Sequence, residues 1–153
     1  MPQSLILASN SVILKTILLF GAGRSATVLI DYLLAEAEKE IWKLIVVDAD
    51  INLAKSKTNN SPFAEAVSFD INDEAKRKDL ISKADIVISL LPPALHTIVA
   101  LTCIDENKNL LTASYIDETI KKLKSEIENK GLLFLCEMGL DPGIDHMSAM
   151  KII

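Results

Sequence analysis

"FGAGRSA", Phe20 to Ala26, follows an apolar run and opens a long helical pattern. Its small residues fall at Gly21, Gly23 and Ala26. A G-x-G-x-x-A spacing alone is weak evidence, but its position between a strand and a helix is the context in which such a turn holds a dinucleotide. Gly21 permits the tight turn, Gly23 lets the backbone approach a pyrophosphate, and Ala26 lets helix and strand pack closely. The helix N-terminus then offers free N–H groups and partial positive charge to the phosphates. Asp48 ends the next strand, 22 positions after Ala26, where an acid would accept a hydrogen bond from the ribose 2′-hydroxyl. Asp50 is the competing acid. Arg24 would suit a 2′-phosphate, but it lies in the turn rather than after the second strand. The expected cofactor is therefore NAD, with NADP second. The structural alternative is a plain turn and a solvated strand-end aspartate.

Working outward, the chain alternates strand and helix. Lys15–Phe20 ("KTILLF") reads as a buried strand. Arg24–Trp42 carries Ala26, Leu29, Ile30, Leu33 and Leu34 at helical spacing. Leu44–Asp48, Ala66–Asp70, Asp85–Leu91, Asn109–Ala113 and Leu132–Cys136 read as further strands. Helices are expected over Asn52–Lys57, from an Asp73 cap to Lys83, from Ala94 to Glu106, and over Asp117–Lys130 with Gly131 as its stop. This alternation implies an α/β, doubly wound (Rossmann-type) parallel sheet with helices on both faces and right-handed crossovers. Such sheets bind ligands at the carboxyl ends of their strands.

Composition agrees. The chain has 153 residues, half of them apolar, and a mean hydropathy of +0.30, which suits a sheet covered on both faces. With a formal charge of −5, no basic patch argues for nucleic acid or an anionic membrane. Cys103 and Cys136 match no metal spacing and no disulfide framework, so no metal is expected and a reducing cytoplasm is the simplest compartment. The apolar start is interrupted by Ser, Asn and Lys15, too broken for a membrane span, and lacks the basic region of a secretory signal. Residues 1–14 read as an extension ahead of a nucleotide-binding domain over 15–153.

The later strand ends carry a second layer. "SLLPP", Ser89–Pro93, reads equally as a stiff corner beside the nicotinamide half or as a plain helix start. Ser114–Tyr115 follows the fifth strand and "EMGLDPGIDH", Glu137–His146, the sixth. Glu137, Asp141, Asp145 and His146 concentrate ionisable groups there. Read alone, they make a polar turn around a DPG signal.

The string "TASY", Thr112–Tyr115, with "GLDPGIDH" beginning at Gly139, resembles glutamate-forming saccharopine dehydrogenase, as does "LLPPALH", Leu90–His96. The resemblance runs from Lys15 to Ile153. It implies oxidation of saccharopine by NAD(P)+, a hydride leaving the carbon beside the secondary amine and the imine hydrolysing to glutamate and 2-aminoadipate semialdehyde. It places Tyr115 and Asp141 against the substrate, Tyr115 positioning it or relaying a proton and Asp141 binding an ammonium or acting as base. It places Gly21, Gly23, Ala26 and Asp48 on the cofactor, and Ser89, Leu90 and Pro92 near the nicotinamide. His96 and His146 each flank a helix start, where a histidine is more often a cap or packing residue than a ligand contact. The resemblance further implies a substrate domain beyond Ile153, through which any homodimer would form, so these residues alone are expected to be inactive. Two rivals stand: a carboxynorspermidine-type or other amino-acid dehydrogenase, and a non-catalytic nucleotide sensor, against which Tyr115 and Asp141 speak.

Overall fold

A computed structural model describes residues 14–153. The extension expected over residues 1–14 therefore lies, but for Leu14, outside the described residues. Six strands form one wholly parallel sheet: β1 (Lys15–Phe20), β2 (Trp42–Asp48), β3 (Ala64–Ser68), β4 (Ile86–Ser89), β5 (Asn109–Thr112) and β6 (Phe134–Leu135). Their spatial order is β3-β2-β1-β4-β5-β6, the doubly wound order in which a crevice opens where the winding reverses, between β1 and β4. The helices are α1 (Thr27–Glu40), α2 (Ile51–Thr58), α3 (Glu74–Lys83), α4 (Pro93–Asp105), α5 (Glu118–Asn129) and α6 (Ile144–Ile152), with a 3-10 turn at Arg24–Ala26 ahead of α1.

The apolar runs have a direct reason. Side chains alternate across a strand, and here both faces are covered. Ile17, Leu19, Leu44 and Val46 meet Ile30 and Leu33 of α1 and Ala54 of α2. Leu18, Phe20, Val47 and Val87 meet Ile81 of α3 and Val99 and Cys103 of α4. Each fully buried leucine, isoleucine or phenylalanine contributes about 1.5–3 kcal/mol. Burial also pushes the Cys103 thiol up to about 12, so it stays protonated, and both cysteines are free and buried.

Several boundaries differ from the sequence reading. α1 stops at Glu40, not Trp42, because Ile41 turns left-handed at φ 59° and caps it. Trp42 then joins β2, its indole N–H donating to the Leu33 carbonyl at 2.8 Å. β3 lies two residues earlier than expected, since Leu44–Asp48 pairs with Ala64–Ser68. Asp70 instead starts a turn, accepting the Asn72 N–H at 2.9 Å. β6 shrinks to two residues. The Asp73 cap and the Gly131 stop are where expected, Asp73 accepting the Lys76 N–H and Gly131 at φ 65°. No described helix is long and apolar enough to cross a membrane.

Candidate functional site

The glycine turn sits at the β1 end of the crevice. Gly21 adopts φ +97°, and a Cβ there would stand 2.8 Å from the Leu90 carbonyl oxygen. Its N–H donates to Val47 at 2.8 Å, while Leu90 donates to Phe20 at 2.8 Å. Gly21 is thus where β1, β2 and the end of β4 close on one another. Gly21→Ala is expected to cost about 1–3 kcal/mol, at the upper end because strain and overlap combine. A thermal unfolding midpoint unchanged from wild type would contradict this. Gly23 differs: a Cβ would meet nothing within 4 Å. Its backbone stands open, and the first N–H groups of the following turn have no helical partner. Ala26 is fully buried, as its packing role requires, and Arg24 is exposed in the 3-10 turn.

Asp48 does more than a solvated strand end would. Its carboxylate accepts the Ala22 N–H at 2.8 Å and the Asp50 N–H at 3.0 Å. It braces the glycine turn from β2, and a carboxylate still has acceptor capacity beyond those two bonds. Asp50 in turn caps α2 by accepting the Asn52 N–H at 2.8 Å.

Two hollows flank the turn. One, of about 620 Å³, is lined by Phe20, Asp48, Phe69, Asn72 and Pro92 among others. The other, of about 870 Å³, runs past Ser25, Ser89, Leu90, His96, Ser114 and Asp141. Pro92 caps α4 and Pro93 is its first residue. The double proline is therefore a helix start, and it also borders the first hollow through Pro92.

The two halves of the sequence's most specific pattern meet. Tyr115 Oη donates to Asp141 Oδ1 at 2.5 Å. That bond to the carboxylate, more than burial or the charges of Asp141, Asp145 and Glu137, pushes the phenol above its ordinary range. Tyr115 therefore stays protonated at neutral pH, as a donor rather than a base. The pair is held by backbone: Glu137 N–H donates to Ser114 at 3.0 Å and Met138 N–H to Thr112 at 3.2 Å. Glu137 bends the chain there with φ 61°. Asp141 rides on a closed loop in which Gly139 N–H donates to Pro142 and Ile144 N–H to Gly139. A Cβ at Gly143, φ +144°, would overlap the Gly139 carbonyl oxygen. The Asp141–Pro142 bond is cis.

His96 is buried, and its ring bridges two strand ends. Nδ1 lies 2.8 Å from Ser89 Oγ and Nε2 lies 2.7 Å from Ser114 Oγ. Burial holds its pKa below the usual histidine value, against an opposing pull from Asp117. His146 is exposed on α6, 3.5 Å from the Asp145 carboxylate. Sequence reasoning left Ser114 out of the site. The signal was present: hydroxyls at the ends of the fourth and fifth strands and a histidine seven residues after Ser89. Among the described residues no metal-ligating cluster occurs.

Comparison with known proteins follows the same lines. The family model described as "Saccharopine dehydrogenase NADP binding domain" matches residues 17–135. An alpha-aminoadipic semialdehyde synthase of Arabidopsis thaliana is 42% identical over 116 residues, covering 76% of this chain and 11% of that protein. The saccharopine dehydrogenase [NADP(+), L-glutamate-forming] of Saccharomyces cerevisiae is 34% identical over 140 residues, covering 91% of this chain and 30% of that protein. The apo structure of the L-Glu-forming saccharopine dehydrogenase from Saccharomyces cerevisiae superposes with a TM-score of 0.81 at 33% identity, covering 90% of this chain and 30% of that one. The chain thus spans between about a tenth and a third of the length of these relatives.

Proposed function

The chain belongs to the saccharopine dehydrogenase NADP-binding domain family, a nicotinamide-dinucleotide-binding Rossmann domain, and from that premise we propose that it is the cofactor-binding part of an enzyme oxidising saccharopine to glutamate and 2-aminoadipate semialdehyde in lysine metabolism. The observation that carries the reading is the Tyr115–Asp141 contact, beside the crevice that the glycine turn opens. A nucleotide sensor has no use for such a pair.

The chain's own residues fit a dinucleotide. Gly23 leaves room for the pyrophosphate, the turn N–H groups face it, Ser89 and Leu90 border the hollow that also holds Asp141, on the nicotinamide side, and Pro92 borders the hollow on the Asp48 side. When bound, the cofactor supplies a hydride acceptor. That acceptor would take the hydride from the carbon next to the substrate's secondary amine, after which water would split the imine to glutamate and the aldehyde. Asp141 holds the substrate's amine or takes a proton during that sequence. Tyr115 keeps the carboxylate aimed through its hydrogen bond. Two buried free thiols accord with a reducing compartment, the cytoplasm being the one proposed.

NAD is the proposed cofactor, although the family description and the yeast relative's name carry NADP. Asp48 and Asp50 both stand at the end of β2, and the N-terminus of α2, otherwise an anion site, is already capped by Asp50. A 2′-phosphate ~4 Å from a carboxylate costs roughly 1–4 kcal/mol. NAD should therefore bind about 10-fold or more tightly than NADP. Titrating the whole protein with both cofactors, and assaying saccharopine oxidation with each, tests the reading. Equal or tighter NADP binding would move 2′-recognition to Arg24. Turnover of a carboxynorspermidine-type substrate in place of saccharopine would overturn the substrate assignment.

A further inference from the structure

The crevice has a cofactor wall, ending at Ser89 and Leu90 against Gly21, and a substrate wall, ending at Ser114 and Tyr115. Their backbones are neighbours in the sheet only as far as Ser89 and Thr112. Beyond that register the chain of β5 parts from β4, while on its other side the Glu137 N–H still donates to the Ser114 carbonyl. One imidazole spans the gap. His96 comes from α4, is 6% exposed, and lies between Ser89, 0% exposed, and Ser114, half-buried at the crevice. Its Nδ1 side meets Ser89 Oγ at 2.8 Å and, more distantly, Thr112 Oγ1 at 3.4 Å. Its Nε2 side meets Ser114 Oγ at 2.7 Å. Ser114 also receives the Glu137 N–H on its carbonyl. Tyr115, the next residue, reaches Asp141. The chain of contacts is therefore His96, Ser114, Tyr115, Asp141.

We propose that His96 is a positioning residue whose Nε2–Ser114 hydrogen bond fixes the turn that aims Tyr115 at Asp141. This rests on the dehydrogenase reading for its kinetic consequence, but not for its structural one. Burial, which keeps the ring neutral, agrees with a bridging role rather than a charged one.

The two ring nitrogens can be tested apart. Nδ1 is two bonds from Cβ, where an asparagine amide also stands; Nε2 is three bonds away, where a glutamine amide stands. His96→Asn keeps the Ser89 side and loses Ser114. His96→Gln keeps Ser114 and leaves the buried Ser89 hydroxyl without its partner, which costs stability. The expected result is opposite ranking. His96→Asn lowers saccharopine turnover, by up to about 100-fold, with the smaller drop in unfolding midpoint and unchanged NAD affinity. His96→Gln recovers most of the turnover and has the lower midpoint. A merely structural role would make activity follow stability. Ser114→Ala should match His96→Asn and add nothing to it, and it carries the test if an imidazole variant does not fold. A second readout needs no turnover. With ¹³C-labelled tyrosine in the whole protein, and its Tyr115 signal identified by loss in Tyr115→Phe, the phenol should titrate nearer its ordinary value in His96→Asn and Ser114→Ala than in wild type. A Tyr115 titration unmoved in those variants, or turnover losses that follow the stability order, overturns the proposal. A wild-type protein inert toward saccharopine sinks the functional reading alone, since the tyrosine titration still decides the positioning.

Discussion

Asp141→Asn in the whole protein is expected to lower saccharopine oxidation about 10²–10⁴-fold, the range for loss of a general acid or base, with NAD binding intact. The substitution is nearly isosteric, and the amide oxygen can still accept the Tyr115 hydroxyl now bonded at 2.5 Å. The loop under it is closed by backbone bonds that do not involve the side chain: Gly139 to Pro142 and Ile144 to Gly139. Asp141 is itself exposed, so no core packing is lost. What disappears is the negative charge that can hold an ammonium or take a proton. Tyr115→Phe should lose less, since it removes an aiming hydroxyl and leaves the carboxylate. Steady-state turnover beside an independent NAD titration separates the cases. Loss of activity that merely tracks loss of NAD binding or of fold makes Asp141 structural. Unchanged turnover removes it from the chemistry.

Gly23→Val is expected to abolish measurable NAD binding while the domain stays folded. The glycine turn contains two glycines with opposite requirements. Gly21 is fixed by its own fold, at φ +97° against Leu90. Gly23 has an ordinary φ of −63° and open space around its would-be Cβ, so the folded protein itself does not need a glycine there. A branched side chain would fill the space that a pyrophosphate needs to reach the turn N–H groups. The circular dichroism spectrum should match wild type, and a cofactor titration should show no saturation. If the variant binds NAD normally, the phosphates do not lie at this turn. If it unfolds, Gly23 has a structural role that its surroundings do not show.

What the sequence by itself determined is local and periodic. Apolar runs such as Lys15–Phe20 and Leu44–Asp48 are legible because a strand buried on both faces needs no polar alternation. Gly21 is legible because the turn demands a positive φ, and Ala26 because helix and strand pack closely over it. The Asp73 cap and the Gly131 stop obey rules confined to a few residues. Ile41 was missed because an isoleucine rarely takes the left-handed conformation that ends this helix. β3 was misplaced by two residues because register depends on its partner strand, not on its own composition. The tertiary structure alone decided which side chains of the candidate site touch. Tyr115 and Asp141 meet because β5 and β6 are parallel neighbours, so the segments leaving them emerge on the same edge. Asp48 became a brace for Ala22 because β1 and β2 pair in one register. His96 lies on a helix whose sequence reads as core. Its ring falls between Ser89 and Ser114 only when α4 packs over the sheet. Hydrophobic periodicity encodes which side of an element is buried, and it carries no record of which distant polar group will lie opposite.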